Sequence, residues 1–94
     1  MINETLTTSN PTSASTTLTK GNAQMAIQGV NNPKGYIKLN MTVGGAKVPI
    51  FEGKLPRNAA KVVVISDETA TFQFDWEPED SPDNAEVIVY LGQA

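Results

Sequence analysis

The sequence predicts an all-β fold: a small antiparallel barrel (OB-like) or a Greek-key sandwich of about six strands, with a flexible N-terminal arm. Three observations predict it. Short runs in which apolar and polar residues alternate recur at spacings of roughly ten residues, with turn-forming residues between them. No segment sustains the 3.6-residue period of an amphipathic helix. One pair of runs is joined by Gly44-Gly45, a two-residue loop of the kind that closes a hairpin because its primed turn needs φ > 0.

The arm comes first. Residues 1–20 contain twelve Ser, Thr or Asn and only scattered apolar side chains, too little to offset the entropy of ordering them. The division expected is therefore a Ser/Thr/Asn-rich arm over 1–21 and a single all-β domain over 22–94. An arm of this kind can lace onto a neighbouring subunit, with Leu6 and Leu18 as anchors.

A first weak strand is expected at Ala23–Gly29, and Asn31-Asn32-Pro33-Lys34-Gly35 turns the chain. Ile37, Leu39, Met41 and Val43 then alternate with Lys38, Asn40 and Thr42, and after the Gly-Gly loop Ala46, Val48 and Ile50 alternate with Lys47, Pro49 and Phe51. That loop sets Val43 against Ala46, Met41 against Val48 and Leu39 against Ile50 on one apolar face. Tyr36, Lys38, Asn40, Thr42, Lys47, Pro49 and Phe51 fall on the other. Pro49 lacks a ladder donor, which makes 46–52 an edge strand or the site of a bulge.

Gly53–Asn58 reads as a loop. Val62-Val63-Val64-Ile65 is a β-branched run expected to be buried on both faces. Ser66-Asp67-Glu68 reads as a turn. Ala70, Phe72, Phe74 and Trp76 form the next alternating strand, and Trp76 is expected in the core. Glu77–Asn84 is a proline-stiffened loop, and Glu86–Leu91 the last strand.

Composition excludes much chemistry. With no His and no Cys, imidazole bases, thiol nucleophiles, disulfides and the zinc and iron–sulfur ligands are gone. Catalysis would have to come from carboxylates, Lys or Tyr tuned by burial, which a domain of this size barely supplies, so a non-enzyme is expected. Neither cofactor nor metal is expected, and no small-molecule substrate. Glu4 stands where a signal peptide carries its basic residues, and no long apolar run follows it. The expected location is the cytoplasm, or a particle assembled there, away from membranes.

Charge is distributed unevenly. Six lysines and Arg57 lie between 20 and 61 against Glu52 alone, whereas 62–94 holds eight acids and no base. Two candidate sites follow. Tyr36, Lys38, Lys47 and Phe51 on the hairpin, with Lys54 and Arg57 nearby, offer the aromatic faces and cations that single-stranded nucleic acid or an acidic partner requires. Asp75, Glu77, Glu79, Asp80 and Asp83 form an acidic stretch suited to a basic partner or a neighbouring copy. Its spacing lacks the ligand order and central Gly of a calcium loop.

In its compactness, its freedom from His and Cys and its charge polarity, the chain resembles small phage or mobile-element proteins in a general way. No motif carries that resemblance, and no site is drawn from it. The expectation for function is a non-enzymatic binding or assembly module acting through protein–protein contacts, including self-association. The alternatives are a single-stranded nucleic-acid-binding protein using the hairpin face, and an acidic-surface inhibitor of a nucleic-acid-binding target.

Overall fold

The computed structural model describes residues 1–93. Its strands are β1 (Ile2–Thr7), β2 (Thr16–Val30), β3 (Gly35–Val43), β4 (Ala46–Leu55), β5 (Ala59–Pro78) and β6 (Glu86–Gln93). All pair antiparallel in one sheet of order β1-β6-β2-β5-β3-β4. Among the described residues no helix is long and apolar enough to cross a membrane. The all-β expectation holds, but the sheet is not closed: β1 pairs with β6 alone and β4 with β3 alone, so it is not the barrel the sequence allowed for.

The long strands β2 and β5, of 15 and 20 residues, carry the architecture. Ser66-Asp67-Glu68, expected to be a turn, is instead a corner inside β5. Thr19 pairs with Thr69 and Gly21 with Ile65, so the two strands advance unequally and β5 bulges. A bulge bends its strand and sharpens the twist without surrendering the ladder on either side, which polar residues at an exposed corner permit. The bend also resets which residues point inward. Leu18 is followed by Ala23, Met25 and Ile27 on β2, and Ile65 by Ala70, Phe72, Phe74 and Trp76 on β5. A lone sheet has no second layer to cover its apolar face, so the face is buried by the sheet folding over itself at this corner. Eighteen buried hydrophobic residues, all but Ala85 lying on the six strands, form one core. Trp76 belongs to it as expected, its indole N–H donating to Lys34 O at 3.0 Å.

The expectation of a flexible arm is overturned. Ile2 and Leu6 are each 1 % exposed because β1 lies against β6, with Ile2 opposite Leu91 and Leu6 opposite Val87. The segment that follows hydrogen-bonds to the second half of β5: Ser13 N–H donates to Phe74 O at 3.0 Å, and Trp76 N–H to Pro11 O at 2.9 Å. Leu18 is buried as well, so neither leucine is available to anchor on a neighbour. The polar composition was misleading because a strand that covers one side of a core needs only every second residue to be apolar, and here fewer suffice.

The hairpin is present with Gly44 and Gly45 at positive φ (56° and 83°), and its register matches expectation from Val43↔Ala46 to Asn40↔Pro49. There it breaks: Leu39 faces Phe51 rather than Ile50, and Ile50 is the extra residue of a bulge. The edge-strand and bulge readings of Pro49 are therefore both realised. Strand β4 also runs on to Leu55, through residues expected to be a loop. Burial on both faces fails for the valine run, since Val62 and Val64 are 53 % and 72 % exposed. They lie on the outer side of the first half of β5, which no described residue covers.

Candidate functional site

The aromatic–basic platform does not assemble. The bulge at Ile50 shifts the phase of β4, so Phe51 joins Leu39 on the inner face and packs against the core. Tyr36 and Lys38 stay outward on β3, with Lys47 outward on β4. Their charges are answered by the facing strand. Lys38 Nζ lies 2.9 Å from Glu77 Oε1, and Lys47 Nζ lies 3.9 Å from Asp75 Oδ2 while donating to Gln73 Oε1. By accepting that hydrogen bond, and then by its charge, Glu77 holds the Lys38 ammonium above the ordinary lysine value, with Glu52 and Asp75 adding to the effect against some desolvation. Asp75 is occupied further: Oδ2 accepts from Asn40 at 2.5 Å and Oδ1 from Thr12 at 3.0 Å.

The two charged halves of the sequence thus meet on one outer face and neutralise each other there. Lys54 stands opposite Tyr36 on β4, and Arg57 sits in the short β4–β5 connection, both exposed. They do not extend a continuous basic groove.

The acidic stretch is likewise divided. Asp75 and Glu77 belong to β5 and face β3, whereas Glu79, Asp80 and Asp83 lie in the β5–β6 loop. That loop is pinned to the 31–35 turn. Lys34 N–H donates to Ser81 Oγ at 2.8 Å, Ser81 Oγ donates back to Lys34 O at 3.0 Å, and Asn31 donates to Asn84 O at 3.0 Å. Among the described residues its three carboxylates make no ion pair, so the loop is an exposed acidic rim on a fixed frame.

What composition could not reveal is the state of the sheet edges. Among the described residues four stretches of strand have one side without a ladder partner: β1, β4, the first half of β5, and the start of β2 ahead of Ala23, where the Gln93 side chain accepts from Thr19 N–H and donates to Thr19 O. Edge strands invite further strands and are ordinarily blunted. β1 is short and directs Glu4 inward, where its carboxylate accepts from Ala14 N–H at 3.0 Å. β4 carries Lys47, Pro49, the Ile50 bulge and Lys54. Residues 59–66 of β5 read AAKVVVIS, with no proline and Lys61 as the lone charge. This edge is the least defended of those described.

Beside it, between β5 and the inner face of the β3–β4 hairpin, runs an open groove of about 250 Å³. Met41, Ile50, Phe51, Val63, Ile65 and Phe72 supply its apolar lining, and Lys61 and Asp67 stand along the β5 side. Sequence reasoning missed these residues as a set because the groove exists only through the bulge and the corner. The one signal available was the β-branched run itself.

Comparison with known proteins returns no matching family model, no matching curated protein and no matching solved structure.

Proposed function

We propose that the protein is a non-enzymatic β-rich module, a sheet folded into an open sandwich, that works through protein–protein contacts made at the first half of β5. One observation carries this reading: residues 59–66 combine an unpaired backbone edge and the outward apolar Val62 and Val64 with no proline and Lys61 as the lone charge. The opposed charges no longer support it, because Lys38 and Lys47 are matched within the chain. The aromatic–basic face gives no independent support to nucleic-acid binding for the same reason.

The test uses a photo-crosslinking residue at position 64 and, for comparison, at position 80 in the acidic loop. Discrete protein adducts, with self or with a second protein in cell extract, are expected from 64 and not from 80. Sedimentation of the wild type and Val64→Lys runs alongside. A wild type that stays monomeric at high concentration, with no adduct from 64 beyond that from 80, removes the reading.

A further inference from the structure

We infer that the β5 edge and its groove together take an extended peptide, added antiparallel to residues 61–67, whose alternate side chains are basic, apolar, apolar and acidic in N-to-C order. The inference rests on the reading of β5 as a contact edge and specifies what the edge receives.

The shape of the site argues for a strand. At about 250 Å³ and open along one side, the groove is smaller than the pockets of roughly 300–1,000 Å³ that enclose small molecules. Its long wall is a strand with a free backbone edge, and a peptide laid there gains ladder hydrogen bonds that a compact ligand cannot make. Antiparallel pairing is slightly the more stable arrangement per residue.

Register then dictates chemistry. All seven residues from Lys61 to Asp67 line the groove, but Val63 and Ile65 are the ones turned toward the core while Val62 and Val64 are exposed. Lys61, and Asp67 at the start of the corner, fall in the same two-residue alternation. Side chains directly opposite on a paired strand share a face. The incoming residues opposite Val63 and Ile65 therefore enter the groove, toward Met41, Ile50 and Phe51, and must be apolar. Those opposite Lys61 and Asp67 meet one charge each, so the favoured residues there are an acid and a base. Between them, the residues opposite Val62, Val64 and Ser66 face outward and can be polar or β-branched. Seven residues suffice.

The probe is a fluorescein-labelled heptapeptide, Lys-Thr-Ile-Thr-Val-Thr-Asp, titrated with the full chain and followed by anisotropy. Saturable binding in the micromolar to millimolar range is expected, with a scrambled peptide of the same composition at least tenfold weaker. Methylating the amides of the second, fourth and sixth residues, or of the third and fifth, must weaken binding tenfold or more in one set and much less in the other, because alternate N–H groups face β5. In the double variant Lys61→Glu/Asp67→Lys, a peptide with its terminal Lys and Asp exchanged should be preferred by about fivefold.

No saturable binding, or equal sensitivity to the two methylation sets, overturns the inference. These changes lie mainly in the peptide, so a misfolded variant cannot obscure the result. If the edge instead receives a second copy, the wild type sediments as a dimer, Val64→Lys as a monomer, and the peptide fails to bind. That outcome sinks strand addition by a peptide and leaves the contact reading standing. Failure of both assays removes both.

Discussion

Lys38 Nζ stands 2.9 Å from Glu77 Oε1, and this single contact joins the basic half of the chain to its acidic half. With Lys47 beside Asp75 it converts a polarity along the sequence into local neutrality on one sheet face. Two lysines and two carboxylates are thus matched on that face, and the remaining charges are spread over the strands and loops.

The Lys38 pair has a defined pH window. Its folded-state pKa is raised above that of the unfolded chain, so its contribution is fully present below the ordinary lysine value and is lost as pH rises through the raised one. Urea midpoints of the wild type and Lys38→Met should differ by a constant amount from neutral to mildly alkaline pH and converge in strong alkali. The difference should shrink in high salt, since the pair is partly exposed. A gap that persists unchanged through strong alkali would show that Lys38 acts by packing instead.

Leu6 separates an integrated first strand from a mobile arm. At 1 % exposure in a core shared with β6, its replacement by Ala should cost about 2–5 kcal/mol. Hydrogen exchange should show the amides of β1 protected along with those of β6. A Leu6→Ala chain as stable as the wild type would mean that β1 is not docked.

Phe51 and Tyr36 tell the two faces of the hairpin apart. Phe51→Ala removes a ring packed on the core and should cost about 1–3 kcal/mol, less than for a fully buried ring. Tyr36→Ala, at 38 % exposure on the outer face, should change stability by no more than about 1 kcal/mol. Equilibrium denaturation of both variants is the measurement, and a reversed order would place the bulge elsewhere.

Gly35 sits at φ +100°, and a Cβ there would fall 1.9 Å from Glu77 O, a backbone atom that cannot move aside cheaply. Gly35→Ala should fail to fold or lose most of its stability. Gly44→Ala, at a turn with open space around it, should cost only about 1–2 kcal/mol for its left-handed backbone. Thermal melts by circular dichroism distinguish the two.

These sites also mark how far the sequence reaches. The Gly-Gly turn and the alternation of Ile37–Val43 specify a hairpin because turn chemistry and burial agree locally. The register beyond Pro49 could not be read, since Ile50 and Phe51 are adjacent and both apolar, and either can be the inward residue. Ser66-Asp67-Glu68 carries the same polar signal whether the chain reverses or rounds a corner. The exposure of Val62 and Val64 depends on which strand lies next to β5, a fact set by topology. For the candidate site, the charged side chains were found but not their mutual cancellation, which requires knowing that β3 lies against β5. The groove is assembled from β3, β4 and β5, and the β-branched run of β5 is the one local pattern that points to it.

The pairing of β1 with β6 has a consequence for how the molecule is made. Strand β1 is synthesised well before β6, its sheet neighbour, so Ile2 and Leu6 lack that cover until Val87 and Leu91 have been made. A segment that must wait so long in water is safest when it is rich in Ser and Thr and sparing of apolar residues. The composition that makes residues 1–20 look structureless suits a segment that stays solvated until β6 is made.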